Sequence, residues 1–282
     1  MRPFLPVAVV LAALLAGCQV PAPPADPVAR ASDEVYRAQL YERPAPLLSS
    51  RLPLSSDQAY QVQRNVVLRQ LGAEQPRGFA ACLSSPASRE AYGGTAAIAG
   101  VLLPRSELAA QEDGHHVKLE RFARGVMELE LGFRLGSVVN RPVADVAALK
   151  ELVVEVVPVL DLRDHGRAEA GMPAPADRIV NNLFLHQLIV GPGRAPAWHE
   201  PDGVAVILYR EGEELVTGSG AAVDNGQWQT LLDLINRMVG VGWEITPEQL
   251  LLTGPLAAPQ PLRAGLHVAD FGELGRLEVW VE

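Results

Sequence analysis

The stretch "RGVMELELGFRLG", residues 124–136, alternates in the manner of a β-strand. One face would carry the apolar side chains Met127, Leu129 and Leu131. Glu128 and Glu130 would share the other face, although the flanking segments are strongly apolar and favour a strand in the core. Two such carboxylates either point into solvent from an edge strand or share a cation, because like charges at this separation repel each other.

Composition limits the class of protein. The chain has 282 residues, of which 48% are hydrophobic and 20% charged, enough for one large domain or for a domain with a smaller lobe. The 25 glycines and 23 prolines favour many turns and short strands over a helical bundle. The formal charge of −9 argues against a nucleic-acid partner, whose phosphates would be repelled.

The amino-terminal segment is typical of a targeting signal. Residues 1–18, "MRPFLPVAVVLAALLAGC", contain one arginine and an apolar run that is too short for a comfortable membrane span. The run ends like the lipobox of bacterial lipoproteins, which predicts a signal peptide over 1–17 and a lipidated Cys18. We expect a protein anchored by lipid at the periplasmic side of the cell envelope, in the outer membrane because Gln19 follows the cysteine. The alternative is an ordinary signal peptide in which the cysteine occurs by chance.

The remaining sequence predicts an α+β domain. Residues 18–32 are rich in proline and alanine and are expected to form an extended tether. The domain would span 33–282, with a small helical lobe over about 33–75 and a β body over about 76–282. The predicted helices cover 33–40, 56–71 and 224–239, and the predicted strands cover 78–83, 126–136, 151–161, 183–190, 204–209 and 276–281. Cys82 would be the one cysteine besides Cys18, so no disulfide is expected within the domain.

An ordered set of short motifs resembles a known family. The motifs are "LSSDQAYQVQ" (54–63), "GFAACLSS" (78–85), "MELELGF" (127–133), "VPVLD" (157–161), "ADRIVNN" (176–182), "LLTGPL" (251–256) and "VADFGELGRLEVWV" (268–281). No single motif is specific, but their order resembles the 2-keto-4-pentenoate hydratase branch of the fumarylacetoacetate hydrolase (FAH) superfamily over about residues 50–282. The resemblance implies an FAH-like mixed β-sheet roll with a few helices.

The resemblance also implies a metal-dependent reaction. It places Mg²⁺ or Mn²⁺ on Glu128, Glu130 and Asp161, which suits the preference of hard cations for carboxylate oxygens. It places substrate contacts at Ser84, Asn182 and Thr253. Family members bind a 2-oxo acid whose enolate the cation stabilises. The outcome is hydration of a C=C bond, decarboxylation or C–C hydrolysis, and the sequence leaves this choice open. Family members commonly assemble, so the resemblance allows a homo-oligomer, but no segment shows a decisive interface and the sequence leaves the oligomeric state open.

Several positions depart from the family pattern. Ala80 stands where the family has a lysine that positions and polarises the substrate, and Phe184 stands where serine is frequent. His186 would share a strand face with Asn182 if this segment is extended, and it is a candidate acid or base to replace the lost group; a satisfied structural histidine is the alternative. These departures keep a second hypothesis open, a catalytically degenerate, lipid-anchored protein that binds a small acid or a partner. A structural envelope protein with an empty site is a third.

Overall fold

The structure is a computed structural model, and it describes residues 26–112, 114–195 and 200–282. Twelve strands are present in this part of the chain: β1 (Gly78–Cys82), β2 (Ile98–Leu102), β3 (His115–Val117), β4 (Gly125–Leu135), β5 (Val153–Asp164), β6 (Leu185–Val190), β7 (Ala205–Arg210), β8 (Glu213–Ser219), β9 (Leu250–Pro255), β10 (Gln260–Pro261), β11 (Gly265–Asp270) and β12 (Arg276–Val281). The α-helices are α1 (Pro27–Leu40), α2 (Ser56–Leu71), α3 (Pro86–Tyr92), α4 (Val146–Leu152), α5 (Pro175–Val180) and α6 (Gly226–Gly240). The predicted α+β class is confirmed.

The strands form two mixed sheets. The larger has the order β2-β1-β9-β4-β5-β6, with β10 added beside β4, and the smaller has the order β3-β12-β11-β7-β8. The longest pairing joins β4 and β5, which run antiparallel along almost their whole length. Their apolar side chains form the main core, as the alternation in 124–136 predicted. This pair is the scaffold on which the carboxylates lie.

The helical lobe begins earlier in the chain than predicted. Helix α1 starts at Pro27, where the Asp26 carboxylate accepts a hydrogen bond of 3.0 Å from the Val28 amide and caps the helix. Residues 27–32 of the predicted tether are therefore helical. Helix α2 has the predicted bounds and begins with a capping box between Ser55 and Gln58. Residues 1–25, including Cys18, lie outside the described residues.

Helix α6 packs against the larger sheet next to β9 and β1, as its apolar stripe predicted. Five predicted stripe residues are buried: Trp228, Leu231, Leu232, Ile235 and Met238. Within the described part of the chain, no helix is long and apolar enough to cross a membrane.

One segment differs from the predicted strand 183–190. Asn182, Leu183 and Phe184 adopt left-handed backbone angles, with φ of 51°, 59° and 58°, so the strand begins at Leu185. The Asn182 side chain offsets this unfavourable backbone, because its amide donates to and accepts from the Val101 backbone, both at 2.7 Å. Asn182 and His186 therefore do not lie together on one extended strand.

Candidate functional site

Three carboxylates converge inside the larger sheet. The β4–β5 register places Glu128 opposite Asp161 and Glu130 opposite Val159, so alternation directs all three acids to one face. One oxygen from each lies within 4.8 Å of the others, and the side chains are buried. The predicted convergence is confirmed, and the alternative of two glutamates in solvent is wrong. A group of this kind could hold Mg²⁺ or Mn²⁺.

An arginine contacts all three carboxylates. Arg163 lies two residues beyond Asp161 on β5, on the same face, and is 1% exposed. Its Nε lies 2.8 Å from Asp161 Oδ2 and 3.0 Å from Glu128 Oε2, and its Nη2 lies 3.0 Å from Glu130 Oε1. The guanidinium is thus the counter-charge that the folded chain itself supplies to the acidic group.

Burial and charge act in opposite directions on these groups. Burial raises the pKa of the Glu128, Glu130 and Asp161 carboxyls, and the positive charge of Arg163 counteracts it only in part. Burial by itself would lower the pKa of Arg163, but the carboxylates outweigh it and hold the guanidinium charged. The cluster therefore favours a further positive charge, either a proton or a metal ion.

The residues fit a divalent cation. Three ionised carboxylates and one guanidinium carry a net charge of −2, which a divalent ion would neutralise. Asp161 Oδ1 is buried without a hydrogen-bond partner, and the contact of Glu128 Oε2 with Arg163 lacks hydrogen-bond geometry. These oxygens are available as ligands, because buried polar atoms without partners are rare unless a ligand or ion satisfies them.

The surroundings of Ala80 are apolar. Ala80 is completely buried, and it belongs to a cluster with Leu102, Val157, Val159, Leu188, Leu250 and Leu252. Val157 and Val159 lie on the same face of β5 as Asp161, so leucine and valine side chains fill the space next to the carboxylates. Arg163 supplies positive charge from the other side of Asp161 along β5.

The three predicted substrate contacts have different environments. Ser84 is buried, and its hydroxyl has no hydrogen-bond partner. It lies beside Gly254, whose amide donates a 3.1 Å bond to Glu130 Oε2. Thr253 instead donates to the side chain of Gln227. Asn182 is bonded to the β2 backbone, as described above, so only the Ser84 hydroxyl stays free for a ligand.

His186 lies away from the carboxylates. Its ring packs edge-on against Phe122 with the centroids 4.7 Å apart. Burial lowers its pKa, and the charges that act on it belong to Arg167, Asp164 and Arg121 rather than to the acidic cluster. The structure therefore assigns His186 to a separate cavity and does not support its predicted part in catalysis.

Two arginines of the site were not predicted. Arg163 could have been found from the sequence "VLDLRD", because strand alternation places it on the same face of β5 as Asp161. Arg178 lies in the short helix α5, which has too few residues for a periodic pattern of apolar side chains to show which side faces inward. It approaches the site only through tertiary packing, and its charge lowers the pKa of Glu128.

Similar proteins bear on the fold and on the class of chemistry. No protein-family model matches the chain. A 2-oxo-hept-4-ene-1,7-dioate hydratase from Escherichia coli is 28% identical over 174 residues, which cover 58% of this chain and 64% of the hydratase. The match thus spans less than two thirds of the length of that relative.

Solved structures show a much longer likeness. The 4-oxalocrotonate decarboxylase from Pseudomonas putida G7, complexed with magnesium and adipate, superimposes with a TM-score of 0.81 at 20% identity, over 90% of this chain and 97% of the decarboxylase. The chain has the fold of the fumarylacetoacetate hydrolase superfamily. A second structure with this FAH-like fold, the fumarylpyruvate hydrolase from Pseudomonas aeruginosa in complex with Mn²⁺ and pyruvate, has a TM-score of 0.53 at 15% identity over 72% of the chain.

Proposed function

We propose that the protein is a metal-dependent lyase of the hydratase type that acts on a 2-oxo acid. The observation that carries this proposal is the buried group of three carboxylates, which a single guanidinium contacts. Burying an excess of negative charge is costly unless a cation compensates it. The names of the similar hydratase and decarboxylase support a lyase reaction, since each describes a reaction of an unsaturated oxo acid.

Each residue of the cluster has a defined part in this proposal. Glu128, Glu130 and Asp161 would hold the ion, and when bound it would act as a Lewis acid toward the keto oxygen of the substrate. The Gly254 amide fixes the orientation of Glu130 through its 3.1 Å hydrogen bond. The Ser84 hydroxyl, without a partner beside Gly254, would donate to or accept from a polar group of the substrate. The apolar cluster around Ala80 would exclude water from one side.

The first test measures the metal itself. We expect the purified domain to bind Mn²⁺ or Mg²⁺ with a stoichiometry of about one, because the residual charge of the cluster matches one divalent ion. Replacing Glu128 and Glu130 by glutamine together should abolish this binding in calorimetry and elemental analysis. Glu278→Gln, which changes an exposed glutamate on β12, is the matched control and should bind as the wild type does. A wild type that holds no metal would contradict the proposed site.

The second test measures turnover. The proposal expects metal-dependent consumption of 2-oxohept-4-ene-1,7-dioate or of 2-hydroxypenta-2,4-dienoate, with activity lost in the double variant. The presence or absence of hydrated, decarboxylated and cleaved products then distinguishes the three outcomes left open by the sequence. Metal binding without turnover of either compound would favour the second candidate function.

A binding protein for a small acid is that second candidate. The observation in its favour is Ala80, because its buried apolar surroundings supply no group that can donate or accept a proton. The metal and the anion-binding side chains would then retain a ligand without transforming it. To test this function, the dissociation constant of a small acid is measured before and after prolonged incubation with the metal-loaded protein. An unchanged constant and recovery of the acid in its original form would establish binding without turnover.

We also propose that Cys18 carries the lipid that attaches the protein to the cell envelope, on the periplasmic side of the outer membrane. The support is the lipobox-like end of the apolar segment. Two acyl chains would provide stable attachment, at about 0.8 kcal/mol for each buried CH₂ group. In the Cys18→Ser variant we expect the protein to leave the membrane fraction. A serine variant that still sediments with membranes would show that another feature holds it there.

A further inference from the structure

An arginine that contacts no carboxylate is buried beside the carboxylate cluster. Arg178 is 3% exposed, and its side-chain nitrogens form no hydrogen bond or ion pair with any residue in the described ranges. Its guanidinium lies over the ring of Tyr92, with the central carbon 3.7 Å from the ring centroid. Such stacking stabilises a cation only modestly, whereas arginine is almost never fully buried unless an anion pairs with it.

The guanidinium lines a cavity of about 260 Å³. The cavity is bounded by Tyr92, Arg124, His165, Met172, Arg178 and Phe184. No acidic side chain is among its lining residues. Asp177, the residue before Arg178, accepts hydrogen bonds from the amide and hydroxyl of Ser49 and from the Ala174 amide. Asp164, the residue before His165, accepts hydrogen bonds from three backbone amides and from Arg167. Both carboxylates are therefore already satisfied.

The electrostatic field in this cavity is positive. His165 has a buried Nε2 without a hydrogen-bond partner, in addition to the unpartnered Nε of Arg178. Burial and the positive charges of Arg163, Arg178 and Arg124 lower the pKa of His165 to about 4, although Asp164 acts against them. The imidazole is therefore neutral near pH 7, and its unpartnered nitrogen and the guanidinium offer polar contacts to one bound group.

The cavity adjoins the carboxylate cluster. His165 follows Arg163 by two residues, directly after β5. The charge of Arg178 lowers the pKa of Glu128, so the two side chains are close enough to interact electrostatically. The cavity and the carboxylate cluster are thus neighbouring sites of opposite charge, although none of the three carboxylates lines the cavity.

We propose that the Arg178 cavity is a subsite for a second carboxylate of the ligand, at the far end from its 2-oxo group. This inference rests on the proposed function for the orientation of the ligand, but the anion subsite itself follows from the unpaired guanidinium. An aliphatic dicarboxylate would place one end at the carboxylate cluster, through the metal, and the other against Arg178. The Tyr92 and Phe184 rings would contact the carbon chain between them.

The subsite is tested with adipate as the probe, in saturating Mg²⁺ and again in EDTA, because without the metal the carboxylate at the cluster end would be repelled. Calorimetry should detect adipate binding to the wild type and a loss of affinity of about tenfold or more in Arg178→Gln, since a hydrogen bond to a charged group is removed. Arg64→Gln is the matched control, because Arg64 is also stacked on an aromatic ring, that of Trp243, and it does not line this cavity. The control should retain the affinity of the wild type within about twofold.

The thermal midpoint of the ligand-free protein separates binding from a structural role. Arg178→Gln should leave the midpoint unchanged or raise it, because the variant removes a buried charge without a partner. Arg178→Lys, which keeps a positive charge, should retain part of the adipate affinity. Equal adipate binding by wild type and Arg178→Gln, or no binding by the wild type either in Mg²⁺ or in EDTA, would overturn the subsite.

Turnover provides a further measurement that can fail independently. If the enzyme is active, Arg178→Gln should raise KM for the dicarboxylate 2-oxohept-4-ene-1,7-dioate by about tenfold or more, and leave KM for the monocarboxylate 2-hydroxypenta-2,4-dienoate nearly unchanged. Equal increases for both compounds would overturn the assignment. If no metal binds and nothing is turned over, the proposed function is wrong, whereas Arg178-dependent binding of adipate would still establish the subsite.

Discussion

Replacing Arg163 by leucine should destabilise the metal-free protein by about 3–5 kcal/mol at pH 7, because the change removes the one guanidinium that contacts the three buried carboxylates. Burial already raises the pKa of these groups, so in the variant they will take up protons on folding. Where the folded pKa exceeds the unfolded one, stability decreases as pH rises through that interval. The deficit of Arg163→Leu should therefore be smaller at pH 5 than at pH 7. Urea denaturation in EDTA at the two pH values measures it.

Metal should stabilise this variant more than it stabilises the wild type. In the wild type the guanidinium contacts one oxygen of each carboxylate, so the ion must share the three carboxylates with Arg163. Without Arg163 the ion is the only strong counter-charge, and saturating Mn²⁺ should restore most of the lost stability. Arg276→Leu breaks an exposed pair with Asp270 and serves as the control, with an expected loss of about 0–1 kcal/mol. An Arg163→Leu protein that is as stable as the wild type in EDTA would contradict the assigned counter-charge.

Strand alternation correctly predicted the three carboxylates of the site, but motif matching was less successful for the predicted substrate contacts. Glu128, Glu130 and Asp161 converge because a period of two and an antiparallel register fix the direction of each side chain. Asn182 and Thr253 were chosen by their place in motifs, and both side chains bond to groups of the protein instead. Local sequence does not show which polar atoms the fold will satisfy.

The parts that escaped prediction depend on irregular backbone and on long-range packing. Three consecutive left-handed residues, 182–184, are unfavourable for any L-residue, and a distant contact with Val101 maintains them. This turn moves His186 away from the carboxylates, so a strand pattern could not place it. Arg178 belongs to a helix of only two turns or fewer, and its burial against Tyr92 joins segments far apart in the chain. In both cases the deciding interaction lies outside the local window.

Asp164 is the residue at which we expect the second largest effect on stability. It ends β5 and accepts backbone hydrogen bonds from Arg124 at 2.8 Å, Ala123 at 3.0 Å and Gly166 at 3.1 Å. Replacing Asp164 by alanine would leave these partly buried donors without their acceptor in the protein, at a cost of about 1–3 kcal/mol in the free energy of unfolding. The same bonds fix the backbone on both sides of the Arg178 cavity, so the variant should also weaken adipate binding.

The pH dependence of the unfolding free energy tests the role of the ionised Asp164 carboxylate more specifically than the loss of stability at one pH. Burial by itself would raise the pKa of Asp164, but the backbone donors and Arg167 outweigh it, so the folded pKa lies below the ordinary value of 3.8. A carboxyl with a lowered folded pKa contributes stability that is present above the unfolded pKa and is lost as pH falls through the folded pKa. The difference in unfolding free energy between wild type and Asp164→Asn should thus be constant near pH 7 and decrease below about pH 4.

Asp270→Asn is the matched control. Asp270 also ends its strand, and its carboxylate accepts a hydrogen bond from the Gly272 amide and pairs with Arg276. It shares no neighbour with the site. Since that carboxylate is less buried, its variant should show a smaller loss. A difference between wild type and Asp164→Asn that does not change from pH 7 to pH 3 would show that hydrogen-bond geometry alone, and not the ionised carboxylate, stabilises this end of β5.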